Sequence, residues 1–68
     1  MSENRFVEWG VRYADGAVEG AASRRVAAVR SQQARKYVEE RTPDWEAYEG
    51  AEVVCREVVE QVGEWRVP

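Results

Sequence analysis

Apolar and polar residues alternate strictly near the start of the chain. Val7, Trp9, Val11 and Tyr13 fall on one side of an extended segment, with Glu8, Gly10 and Arg12 on the other. That period of two marks a half-buried strand, and β-branched and aromatic residues suit its apolar side. Asp15-Gly16 supplies a hairpin signal, since both residues tolerate positive φ. Ala17 to Ala21 then reads as a short return strand whose small residues leave room for close packing or a bulge. The expected strands cover 5–13 and 17–21, with Trp9 at the centre of the core.

After Ser23, a suitable N-cap, the period lengthens to that of a helix over 24–41. Val26, Ala27, Ala34, Tyr37 and Val38 share one face, with Val29 at its margin. Arg30 falls on the same face and is expected to lay its stem along the core edge. Arg24 and Arg35, with Ala28 and Ser31, are assigned to the outer side. Pro43 stops this helix, because proline disfavours helical geometry in the residue before it. Thr42-Pro43-Asp44 reads as the start of a second, short helix over 43–49 closed by Gly50. Trp45 and Tyr48 would pin it to the domain.

Residues 51–62 form a valine-rich strand that is apolar on both sides. Val53, Cys55 and Val59 lie on one face, with Val54, Val58 and Val62 on the other. Such a strand is either covered twice or meets something at an edge. Gly63-Glu64 breaks it, and Trp65 is expected to fold back onto the core. The order of elements predicts a single α+β domain over 1–68. It is a two-layer ββα(α)β arrangement with a three-stranded antiparallel sheet and one main helix on one face.

Composition narrows the chemistry. The chain has no Leu or Ile, so Trp9, Tyr13, Tyr37, Trp45 and Trp65 must supply much of the buried area. At 68 residues it buries only about 60 % of its unfolded surface. That leaves no room for a cleft between two lobes or a dinucleotide-binding fold. With 44 % hydrophobic residues it is too apolar to be disordered. No histidine is present, which excludes the usual Ser-His-Asp and Cys-His nucleophilic sites. One cysteine excludes an internal disulfide framework and Cys₂His₂ or Cys₄ zinc sites. The expectation is a cytoplasmic protein with no catalytic residues, no cofactor and no metal. Met1-Ser2-Glu3-Asn4 is not expected to open a signal peptide, and no apolar run of about 20 residues is present to span a membrane.

Individual candidates reduce in the same way. Asp15-Gly16 is far short of a phosphate or calcium loop. Cys55 reads as a buried small hydrophobe rather than a reactive thiol. The carboxylates Glu57, Glu60 and Glu64, or Glu39, Glu40 and Asp44, have no groove to face across and read as solvated charge. The main helix is different. It holds six cations against two carboxylates, +4, which leaves −7 for the rest of a chain whose total is −3. Arg24, Arg25, Arg35 and Lys36 are therefore the candidate nucleic-acid contacts, although the acidic total opposes such binding.

The second face of the last strand gives the other candidate. Val54, Arg56, Val58 and Val62, joined by Phe6 from the first strand, form a candidate interface, because one helix cannot cover both faces. A two-fold dimer would bury that face or pair the strand edge. A bulge near Arg56-Glu57 that turns the valines to one side is the alternative.

The segment Glu8-Trp9-Gly10-Val11-Arg12-Tyr13-Ala14-Asp15-Gly16 resembles the opening of small proteins encoded by actinobacteria and their bacteriophages. In that family a W/Y-G-V-R strand, a D-G turn and a short strand precede Ser and an Arg/Ala/Glu-rich helix. A valine-rich strand with an Arg and a late Trp complete the pattern, here Ser23, Arg56 and Trp65. The link over Thr42 to Gly50 is longer than the family's. The resemblance implies a phage or prophage origin and no catalytic residues. The expected function is a non-enzymatic accessory protein that acts on a host or phage protein or by self-association. The alternative is a minor nucleic-acid-associated regulator using the helix over 24–41.

Overall fold

A computed structural model of the chain describes residues 6–59 and 62–68. The start of the first expected strand at residue 5, and Glu60, lie outside the described residues. Strands β1 (Phe6–Arg12), β2 (Val18–Ala21) and β3 (Glu52–Val58) form an antiparallel sheet in the order β2-β1-β3. Helix α1 (Arg24–Glu39) and a 3-10 helix (Trp45–Tyr48) complete the α+β architecture.

The β1–β2 hairpin closes through a three-residue loop. Tyr13 N–H donates to the Ala17 carbonyl at 2.9 Å and Gly16 N–H to the Tyr13 carbonyl at 2.9 Å. Gly16 alone in this loop takes positive φ, +88°, so the turn is the bulged three-residue kind rather than a two-residue Asp-Gly turn. The Asp15 carboxylate accepts from Ala17 N–H at 2.9 Å and fixes the loop.

Ser23 caps α1, its hydroxyl accepting from Val26 N–H at 3.2 Å. The helix ends at Glu39, two residues before the expected stop. Thr42 N–H reaches the Tyr37 carbonyl and Arg41 N–H the Val38 carbonyl, with Arg41 left-handed at φ 52°. This is the paired-bond helix ending that usually takes glycine at the left-handed position. The second helix also starts later than expected. Trp45 N–H donates to the Thr42 carbonyl across Pro43 and a left-handed Asp44, so Thr42 to Trp45 is a turn and only one turn of 3-10 helix follows.

One core lies between α1 and the sheet. Val11 and Ala27 are fully buried, Ala34 and Ala51 nearly so, with Trp9, Tyr13, Ala21, Tyr48 and Val53 packed around them. Trp9 is half-buried beside this centre rather than at it; the buried residues of α1, Ala27, Ser31 and Ala34, are all small. Small side chains let the helix approach closely over valine, and the large ring is left at the rim. Ser31 was assigned to the outer side, yet it is buried with its hydroxyl donating to the Ala28 carbonyl at 2.9 Å. That internal partner removes the cost of burying it. Tyr37 and Val29 are correspondingly exposed.

The other face of the sheet carries Val54, which is also fully buried. β3 stops at Val58, four residues earlier than expected, and the chain reverses. Gly63 N–H donates to the Glu57 carbonyl at 2.9 Å, and Cys55 and Arg66 exchange both backbone bonds at 2.7 and 2.8 Å. A Cβ on Gly63 would stand 2.9 Å from that carbonyl, so the reversal needs glycine. Val62 therefore belongs to the return segment, paired with Val58. The return places Trp65 on the second face, with its ring edge 3.3 Å from where a Gly10 Cβ would be. The β1–β3 register runs unbroken from Phe6↔Val58 to Arg12↔Glu52, so the face-switching bulge considered from the sequence is not used. Val54 on the second face is sheltered by the chain's own end, while Val62 stays exposed.

Gly10→Ala tests this packing. The new methyl would meet the Glu19 carbonyl at 2.9 Å as well as Trp65 and Val18, and overpacking of this kind costs about 1–3 kcal/mol. Gly20→Ala, with nothing within 4 Å, is the control. Urea unfolding is expected to show a lower midpoint for the first variant and an equal or slightly higher one for the second, since alanine there only restricts the unfolded chain.

Candidate functional site

The second face is built from rungs that cross β1 and β3. Each Cα pair in the register puts two side chains on one side of the sheet. The rungs facing away from α1 are Phe6/Val58, Glu8/Arg56, Gly10/Val54 and Arg12/Glu52. Two are ion pairs. Arg56 donates to Glu8 from Nε and Nη2 at 2.9 and 2.6 Å, and Arg12 donates to Glu52 at 3.0 and 2.7 Å. These pairs are partly buried, shorter and more directional than ordinary surface contacts, and cross-strand pairing of this kind also fixes register. Arg56 has a second role: its guanidinium stacks on the Trp65 ring, 4.3 Å from the centroid.

At the end of the sheet the Phe6/Val58 rung is extended by Val62, the partner of Val58 in the return segment. Three apolar side chains thus line up across three neighbouring stretches of chain. Phe6 is 53 % exposed and Val62 58 %. Val67 is exposed as well.

Of the five residues proposed as an interface from the sequence, this structure brings Phe6, Val58 and Val62 into one row and sets Arg56 beside it. Val54 is withdrawn, because the packing of Trp65 over Gly10 leaves it no exposed surface. Glu8 and Trp65 were missed as members of this face. The signal was present in the signs: Glu8, Gly10, Arg12 and Glu52, Val54, Arg56 run in the same order, so only antiparallel pairing opposes unlike charges.

The cations of α1 do not converge. Arg24 lies over the Trp9 ring at 5.4 Å, and Lys36 reaches Glu40 at 4.0 Å. Arg25 and Arg35 are exposed. By helical period Arg24 and Arg35 share one flank and Arg25 and Lys36 the outward side, each pair about 16 Å apart along the axis. Arg30 is engaged elsewhere, donating to the Gly20 carbonyl at 2.7 Å and lying 3.3 Å from Glu19. It thereby closes part of the β2 edge.

Cys55 is buried with its thiol unbonded to another cysteine, in keeping with its reading as a small hydrophobe. Among the described residues no group of three or more His, Cys, Asp or Glu side chains could hold a metal ion, and no helix is long and apolar enough to cross a membrane. A tyrosine cluster closes the opposite corner, with Tyr48 edge-on to Tyr13 at 6.0 Å and to Tyr37 at 5.1 Å. Burial raises the Tyr13 pKa above its ordinary 10.0, helped by Glu19 and Tyr48 and opposed by Arg30. Comparison with protein-family models, curated proteins and solved structures gave no match.

The Tyr13 shift has a defined sign. A phenol whose folded pKa is raised favours folding while it stays protonated, so its contribution holds below pH 10.0 and is lost as pH rises through the folded value. Thermal melts from pH 8 upwards (roughly, up to the limit of the folded range) are expected to show stability falling above that point. Tyr13→Phe should flatten the fall.

Proposed function

We propose that this chain is a non-enzymatic protein-interaction module whose second sheet face is the docking surface. The reading rests on one observation: Phe6, Val58 and Val62 form an apolar row at the end of that face, two of them more than half exposed. Beside the row stand an Arg–Glu pair and a stacked Arg56–Trp65 pair. Tryptophan and arginine next to exposed aliphatic surface is the composition of binding hot spots. The resemblance of the Glu8–Gly16 opening to actinobacterial and phage proteins supports an accessory role in a host cytoplasm, directed at a host or phage protein or at the chain itself.

A nucleic-acid-associated regulator would instead use Arg24, Arg25, Arg35 and Lys36. It is favoured only by the +4 charge of the helix region, against a total of −3. The two readings separate in one experiment with immobilised protein and an actinobacterial lysate. Wild type and an Arg25→Glu/Lys36→Glu variant are expected to retain the same protein, and Phe6→Glu/Val62→Glu to lose it. Retention of duplex DNA that disappears with added salt and with the α1 variant would overturn the module in favour of the regulator, because phosphate contacts carry that salt dependence.

A further inference from the structure

The occupant of the second face follows from how its charges are arranged. Apart from the covered Gly10/Val54 rung, each rung pairs apolar with apolar or opposite charges: Phe6 with Val58, Glu8 with Arg56, Arg12 with Glu52. A two-fold axis running along the strands, between β1 and β3, lays this face on a copy of itself with each rung reversed. Phe6 then meets the partner's Val58, and Glu8 meets the partner's Arg56. Arg12 meets the partner's Glu52. No like charges are opposed, and the apolar row covers its own image.

An axis across the strands through the Gly10/Val54 rung, the placement that overlaps the whole face, does less well. It too opposes Glu8 with Arg12, but it carries the apolar row past the Arg12 end of the sheet, where no apolar row waits. The outward surface of α1 carries the exposed cations Arg25 and Lys36 and, of its large apolar side chains, exposes Val29 and Tyr37 but no row like that of Phe6, Val58 and Val62. Trp65 spans from the return segment to Gly10, close to the strand-parallel axis, so the two rings approach each other at the centre of the contact. A central aromatic ringed by ion pairs is how stable isologous contacts are commonly built.

We infer that the partner is a second copy of this chain, docked face to face about a two-fold axis parallel to β1 and β3. The inference rests on the reading of this face as a docking surface and names its occupant. Sedimentation equilibrium over roughly two decades of concentration is expected to show a mass rising from one chain toward two. Val62→Glu, at a position 58 % exposed and so compatible with folding, is expected to weaken association at least about tenfold. Amide shifts of the wild type should move with concentration at Phe6, Glu8 and Val62, and not at Arg25, Val29 or Lys36.

A one-chain mass at every concentration overturns the second copy, as do concentration-dependent shifts confined to α1. The underlying reading is judged separately. A monomer whose Val62→Glu variant no longer retains a lysate protein leaves the face a docking surface for a different chain. A monomer for which Val62→Glu changes neither assay overturns both.

Discussion

Trp65 seated on Gly10 is the contact that lets so short a chain make a two-sided sheet. α1 covers one face, and among the described residues no second helix covers the other. The last residues do that work instead, and each step toward it is constrained. β3 must end at Val58, Gly63 must pass within contact of the Glu57 carbonyl, and Arg66 must pair with Cys55. Trp65 can then cross to a strand position with no side chain. Without the notch at Gly10 the ring would ride higher, and Val54 would lose the cover that makes it one of the two largest fully buried side chains. Full burial of a valine is worth about 1.5–3 kcal/mol, a large fraction of the total for a domain of this size.

The same face explains why β1 and β3 pair as they do. Glu8 to Arg12 and Glu52 to Arg56 carry identical sign patterns, so a parallel pairing or a slip by two residues would bring like charges together or leave them unpaired. Only the observed register closes both ion pairs and centres Gly10 on Val54. Individually such pairs contribute little at a surface. Their value here is selective, since they penalise the wrong pairings that a valine-rich strand would otherwise accept. Arg30 acts similarly at β2, occupying the Gly20 carbonyl at the sheet's edge.

Elements with a local signal were legible in the sequence. Strand alternation, the Ser23 cap and the proline stop placed β1, β2 and α1 within one or two residues of where they lie. What the sequence hid depends on partners distant along the chain. The early end of β3 is imposed by its pairing with the return segment, while the valines that follow look no less strand-like. The burial of Ser31 and the displacement of Trp9 from the centre follow from how closely α1 approaches Val11, a distance that helical period does not encode. Val54 looked exposed because its cover comes from a residue eleven positions later. The candidate row was legible as residues, but its geometry was not. Phe6 and Val62 sit at opposite ends of the sequence, and only the register through Val58 makes them neighbours.

The face finished by Trp65 is also the one that offers an apolar row and neutralised charge. The account therefore stands on Trp65 as the cover of the second face. Chemical denaturation of Trp65→Ala tests that most directly. Removal of a half-buried indole that shields Val54 is predicted to lower the unfolding free energy by at least about 2 kcal/mol, with Val54 amide exchange accelerated as its shelter is lost. A variant within about 0.5 kcal/mol of wild type, the range of an ordinary surface substitution, with Val54 still protected, would contradict it.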